Sequence, residues 1–221
     1  MAQRKVEFAI GEYYHIYNRG VEGRCIFADQ KDLAHFAQSV EEFNGNNVVG
    51  GLYMGSFKKH KERGEKLVNI ICYAFNPNHY HFLMTPLVDK GIENFMQRLG
   101  TGHAMFFNNQ HKRKGRLFQG VFKSVHVGSN RQLLHASVYV NLNDKIHQIG
   151  GEASKLVKTS WGSYSSNSSK KRDFLLGDTS IITDQFKNFQ EYKKFAEEIL
   201  PDIIARKKSL KELEELMLDE N

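Results

Sequence analysis

Residues 76–86 read Asn76-Pro77-Asn78-His79-Tyr80-His81-Phe82-Leu83-Met84-Thr85-Pro86. Asn-Pro-Asn is a turn signal, because proline presets one backbone angle and asparagine tolerates turn conformations. The mostly apolar run from Leu67 to Phe75 before it suits a buried strand, and His79 to Thr85 after it alternates as a second strand. Two adjacent antiparallel strands are the simplest reading. Alternation puts His79 and His81 on one face, with Tyr80 and Phe82 on the other. If helices bury the aromatic face, both imidazoles emerge together on the opposite side, where they can hold one metal ion.

Working outward, Tyr13 to Asn18 (YYHIYN) alternates as a first strand, and RGVEGR follows with two glycines for a turn. Asp29 can cap a helix whose Leu33, Phe36, Ala37, Val40 and Phe43 recur at three and four residues, ending near Asn44. Residues 45–66, glycine-rich and then charged, read as an extended hairpin or loop. After the His-bearing strand, Asp89 opens a second helix through Ile92, Phe95, Met96, Leu99, Met105 and Phe106, with Gly100 and Gly102 expected to weaken or bend it. The basic run HKRKGR leads into strand-like sequence from Arg116 to Val127. Ser129 or Asn130 then caps a third helix through Leu133, Leu134, Val138 and Leu142. This order predicts an α+β fold, a ferredoxin-like central antiparallel sheet with helices on one face and the other left for a functional site. The expected organisation is a main domain over 1–165, a linker-like segment over 166–182 and a helical C-terminal extension over 183–221, broken near Pro201.

The chain has 221 residues, 40% of them hydrophobic, enough for one full core with an appendage. Its formal charge is +6 and its isoelectric point about 9.2, which favours polyanionic partners. The basic excess precedes residue 183: residues 1–182 carry 24 basic against 15 acidic side chains. Cys25 and Cys72 offer neither a close pair for zinc nor a disulfide framework, which suits a reducing cytoplasm. No apolar run approaches the ~20 residues of a membrane span.

Tyr139 and Asn143, four apart in an apolar, helix-like stretch, would place a phenol and an amide carbonyl on one helical face. Two imidazoles, an amide and a phenol suggest metal-assisted phosphoryl transfer, with Asn143 as third ligand and open positions for a phosphate oxygen. Mg²⁺ or Mn²⁺ fits that role, and Mn²⁺ should bind at least as well because histidine is a softer ligand than Mg²⁺ prefers. Each residue also has a plainer reading: Asn143 as a helix C-cap, Tyr139 as a core aromatic, the histidines as one exposed and one packed ring. Arg19, Lys112, Arg113, Lys114, Arg116 and Lys123 are candidates to hold DNA phosphates, and a solvated surface gives the same charge run. An RNA phosphoesterase with two histidine motifs would need a second such motif, which His126 and His135 do not supply.

Together, YYHIYNRG, NPNHYHFLMTP, RLFQGVFKS, YVNLND and WGSY, spanning about Tyr13 to Tyr164, resemble the motifs of the HUH single-tyrosine transposases, most of all the REP-associated tyrosine transposases. The resemblance implies that residues 1–165 form the catalytic domain, with a divalent cation held by His79, His81 and Asn143 and Tyr139 as nucleophile. It implies single-stranded DNA substrates bearing hairpin or palindromic elements, cleaved to a 5′-phosphotyrosine and a free 3′-hydroxyl, in a bacterial cytoplasm at the nucleoid, by a monomer or homodimer. The alternative is a domesticated DNA-hairpin-binding module without turnover. Asn143 precedes Asp144 where the family commonly has Asn-Pro, and residues 45–66 exceed the usual connection.

Overall fold

The computed structural model describes residues 7–46, 64–165 and 173–219, with side chains of the last helix to residue 209. Among these residues the leading elements are β1 (Tyr13–Arg19), α1 (Gln30–Phe43), β2 (Val68–Asn76), β3 (His79–Pro86), α2 (Gly91–Gln110), β4 (Lys123–Val127) and α3 (Asn130–Asn141). Then come α4 (Asn143–Ile146), β5 (Lys158–Thr159), α5 (Trp161–Ser165), α6 (Ser180–Thr183) and α7 (Phe189–Asp219). The sheet is antiparallel throughout, in the order β4-β1-β3-β2-β5. Its first four strands have the ferredoxin-like arrangement expected from the sequence, and β5 extends the β2 edge.

Alternation sorts the side chains as expected. Tyr14 and Ile16 of β1, Phe75 of β2 and Tyr80 and Phe82 of β3 pack with Leu33, Phe36, Ile92, Phe95 and Leu99 of the two long helices. Each fully buried aromatic or aliphatic side chain contributes about 1.5–3 kcal/mol, so this face anchors the sheet. A β-bulge between Ile70 and Cys72 makes Ile71 and Cys72 share the opposite face. There they meet Leu133, Val138 and Val140 of α3 and Tyr192 and Ala196 of α7. The face expected to stay open is therefore partly covered by α3 and α7, and the histidines of β3 lie on that covered side.

Several local expectations change. Asp89 does not cap α2, because Lys90 precedes the helix at φ 53° with no side-chain cap. Gly102 does not bend α2: a Cβ there would stand 2.8 Å from Phe43 Cζ, so its bareness lets α1 approach. The strand expected from Arg116 shrinks to Lys123–Val127, preceded by a single bridge between Gly20 and Phe118. Pro201 does not break α7, which runs through it. Pro201 is exposed, so the carbonyl freed by its missing N–H has access to water. Most of the expected 45–66 connection and residues 166–172 of the linker-like segment lie outside the described residues. No described helix is long and apolar enough to cross a membrane.

Candidate active site

The β2–β3 hairpin turns at Pro77 and Asn78, pairing Asn76 with His79. Asn78 donates its amide to the Gly23 carbonyl at 3.2 Å, so its oxygen faces His79 Nδ1, 2.6 Å away. That ring nitrogen therefore carries the proton, and His79 Nε2 keeps its lone pair. Asn143 in turn gives its amide N–H to the Tyr139 carbonyl at 3.3 Å and points Oδ1 at His79 Nε2, 3.0 Å away. Two lone pairs thus face each other, bridged by the Asn76 amide, which stands 2.8 Å from Nε2 and donates to Oδ1 at 2.6 Å.

His81 Nδ1 lies 2.8 Å from His15 Nε2 on the neighbouring strand, which leaves His81 Nε2 as its donor toward the cluster. Tyr17, directly opposite His81 in the register, stacks on it at 5.6 Å. The Tyr139 ring meets both His81 and His15 edge-on, with centroids 5.5 Å away in each case. Helix α3 is capped by Ser129, whose side chain accepts from Gln132 N, and ends at Asn141. Leu142 interrupts the helical geometry at φ −110°, ψ 27°, and Asn143 opens α4. The C-cap role considered for Asn143 belongs to Leu142, and the amide is fully buried.

Three residues of the site escaped sequence reading: His15, Asn76 and His147. His147 had a signal, since it follows Asn143 by four residues as Asn143 follows Tyr139. Its Nε2 is buried without a hydrogen-bond partner, and one donor atom from each of His79, His81 and His147 lies within 4.8 Å of the others. Bonds of about 2.1 Å would bring the donor atoms to roughly 3.0–3.4 Å from one another, so the rings would close in on a bound ion. Burial pushes His79 down to about 4 and His147 to about 3, and holds His81 well below the usual imidazole range. All three are neutral near pH 7, the form that binds metal. Three uncharged imidazoles, one of them with an orphaned nitrogen, and an amide oxygen make a donor set that fits a divalent cation. Burial, partly offset by Asn143, holds the Tyr139 phenol above its ordinary value, so it is protonated near neutrality.

Of the six basic candidates, Arg19 stands opposite His79 in the β1–β3 register, and its charge adds to the lowering of His79 and His147 that burial begins. Lys112, Lys114, Arg116 and Lys123 are exposed along the route from the end of α2 to β4. Arg113 is engaged locally, donating to Asn108 at 2.9 Å and lying 5.7 Å over the Phe107 ring.

No protein-family model and no curated protein matches this chain. Among solved structures, that of a REP-associated tyrosine transposase bound to a REP hairpin matches with a TM-score of 0.52 and 12% identity, covering 81% of this chain and 93% of that one. At that identity the likeness resides in the fold, and this chain has the fold of a REP-associated tyrosine transposase.

Proposed function

We propose that the protein is a metal-dependent endonuclease and strand transferase acting on single-stranded DNA that bears hairpin or palindromic elements. The observation that carries this reading is the Tyr139 ring 5.5 Å from His81, on the helix that leads directly to Asn143 against His79. The hairpin bound by the structural neighbour supports the substrate class.

His79, His81 and Asn143 would hold the cation, with His147 as a further donor. When bound, Mn²⁺ or Mg²⁺ supplies Lewis-acid polarisation of a phosphodiester and charge stabilisation at the leaving oxygen. The nitrogen-rich set favours Mn²⁺. Tyr139 Oη forms a bond to phosphorus as the bond to the 3′ oxygen breaks. The phenol loses its proton and the 3′ oxygen gains one, leaving a 5′-phosphotyrosine and a free 3′-hydroxyl. The phosphotyrosine conserves the ester bond, so another 3′-hydroxyl can reverse the step and join a different strand. Residues 1–165 carry these groups, and the exposed lysines and arginines before β4 supply affinity for the DNA backbone rather than sequence preference.

The test is incubation with hairpin-bearing strands from DNA flanking the coding region, with and without Mn²⁺. A denaturation-resistant protein–DNA adduct that needs the metal and disappears in His79→Ala and His81→Ala is expected. Hairpin binding with no adduct under any divalent metal would instead identify a binding module without turnover.

A further inference from the structure

Helix α7 lays an apolar stripe, Tyr192, Phe195, Ile199 and Ile203, recurring at three and four residues, against the cluster that holds α3. At Ile203 the packing opens. Ile203 of α7, His135, Ala136 and Tyr139 of α3, and His15 of β1 line a cavity of about 240 Å³. His135 and Tyr139 stand four apart and so share one face of α3. Ala136, the smallest of the five lining side chains, leaves the room beside them.

Three properties of this cavity select its occupant. Tyr139 forms part of the wall, so whatever enters lies beside the phenol. Among the described residues none with a fixed charge lines it, which leaves an anion there without a counter-charge. Its volume falls just short of the ~300 Å³ at which pockets for drug-sized molecules begin, room for one planar ring system rather than a run of strand. Rings and apolar side chains are the surfaces on which nucleobases pack. The His135 ring, edge-on to Phe195 with centroids 6.4 Å apart, adds nitrogens that can meet the edge of a base. One sugar separates a phosphodiester from the base beside it, so a phosphate at the Tyr139 oxygen brings a base within reach of the cavity. We infer that the cavity is a base pocket, taking the nucleobase that flanks the phosphodiester attacked by Tyr139. The inference rests on the strand-cleavage reading above and gives the site a sequence preference at one position, which contacts to the DNA backbone do not supply.

The test uses Tyr139→Phe, expected to bind without cutting, and a hairpin-bearing strand in which each unpaired nucleotide in turn is made abasic. One abasic position should weaken binding about fivefold or more, the loss of one stacked base. Ala136→Leu in the same protein fills the cavity. It should weaken binding of the intact strand by a similar factor and leave binding of the strand abasic at that position unchanged. Wild-type protein with Mn²⁺ should cut at a phosphate adjoining that nucleotide. Where Ala136→Leu fails to fold, Ile203→Phe supplies the filling side chain from the opposite wall. The absence of any position coupled to filling, or equal losses on the intact and abasic strands, overturns the pocket. Cutting at a phosphate remote from the coupled nucleotide overturns it as well. A coupled position on a strand that the wild type never cuts keeps the cavity as a base pocket and removes only the strand-transfer reading.

Discussion

The two histidines of β3 acquire their chemistry from neighbours that engage one ring nitrogen and leave the other toward the cluster. Asn78 settles that for His79, and His15 occupies Nδ1 of His81 at 2.8 Å. Such outer partners typically change metal affinity 10–100-fold when removed. His15→Phe keeps a ring against Tyr17 and Tyr139 but removes the hydrogen bond. It should weaken Mn²⁺ binding by about tenfold with little change in thermal stability, measured by calorimetry and unfolding; unchanged metal affinity would remove His15 from this role. The pair His79 and His81 was legible because period-two alternation needs only local sequence. His15 was hidden because its contact depends on β1–β3 register, in which Tyr17 lies opposite His81 and His15 falls opposite Leu83.

Elements are held in place by a buried polar network as much as by apolar contacts. Asn141 at the end of α3 accepts from Ser160 Oγ at 2.5 Å and donates to the Tyr192 hydroxyl at 3.1 Å. Ser160 Oγ also accepts from Tyr73 N at 2.9 Å, and the Tyr164 hydroxyl donates to the Ile71 carbonyl at 2.8 Å. The WGSY and YVNLND segments thus clamp α3 to β2 and α7, and this fixes where Tyr139 stands. Asn141→Ala would take one hydrogen bond each from buried Ser160 and Tyr192, which keep Tyr73 and Ser137 as partners. It should cost about 1–3 kcal/mol in denaturant unfolding and more than Asn143→Ala with metal absent; equal costs would contradict this division of labour. Gly102→Ala makes a separate point, since its Cβ would press on Phe43. A loss of about 1–3 kcal/mol is expected despite alanine's better helix propensity, and a gain in stability would show that α1 yields. The helices themselves were readable from their three-and-four spacing, except toward the end of α2, where Met105 is exposed and the buried face continues through His103 and Phe107. The bulge at Ile70 to Cys72 and the run of α7 through Pro201 were not, because both are set by tertiary packing.

Across the whole molecule, burial keeps several imidazoles neutral. His103 is fully buried among aromatic rings, hydrogen-bonded to the Ile26 carbonyl at 2.7 Å, and pushed down to about 3. It lies on the α1–α2 side, remote in sequence from the proposed ligands. In the unfolded chain its imidazole takes up a proton near pH 6.5, whereas the native one does not. Stability is therefore intact above pH 6.5 and falls as pH drops toward 3, at about 1.4 kcal/mol per unit for each such histidine. Urea midpoints measured from pH 7.5 to 5 should decline, and His103→Gln should decline less steeply by about one proton; parallel slopes would mean His103 is protonated in the native state. The sheet order and the α+β architecture were legible because turns, alternation and helix spacing all agreed. The position of α7 was not, since residues 139 and 203 come to line one cavity only once the chain has folded over the sheet.

In the proposed reaction the Tyr139 oxygen becomes covalently joined to DNA beside the imidazole cluster. The direct measurement is mass spectrometry of the peptide containing Tyr139 after incubation with Mn²⁺ and a hairpin-bearing strand, in wild type and Tyr139→Phe. The account predicts a nucleotide-bearing Tyr139 in the wild type, and undiminished strand binding with no adduct in the variant. An adduct on another residue, or cleavage by Tyr139→Phe at the wild-type rate, would contradict it.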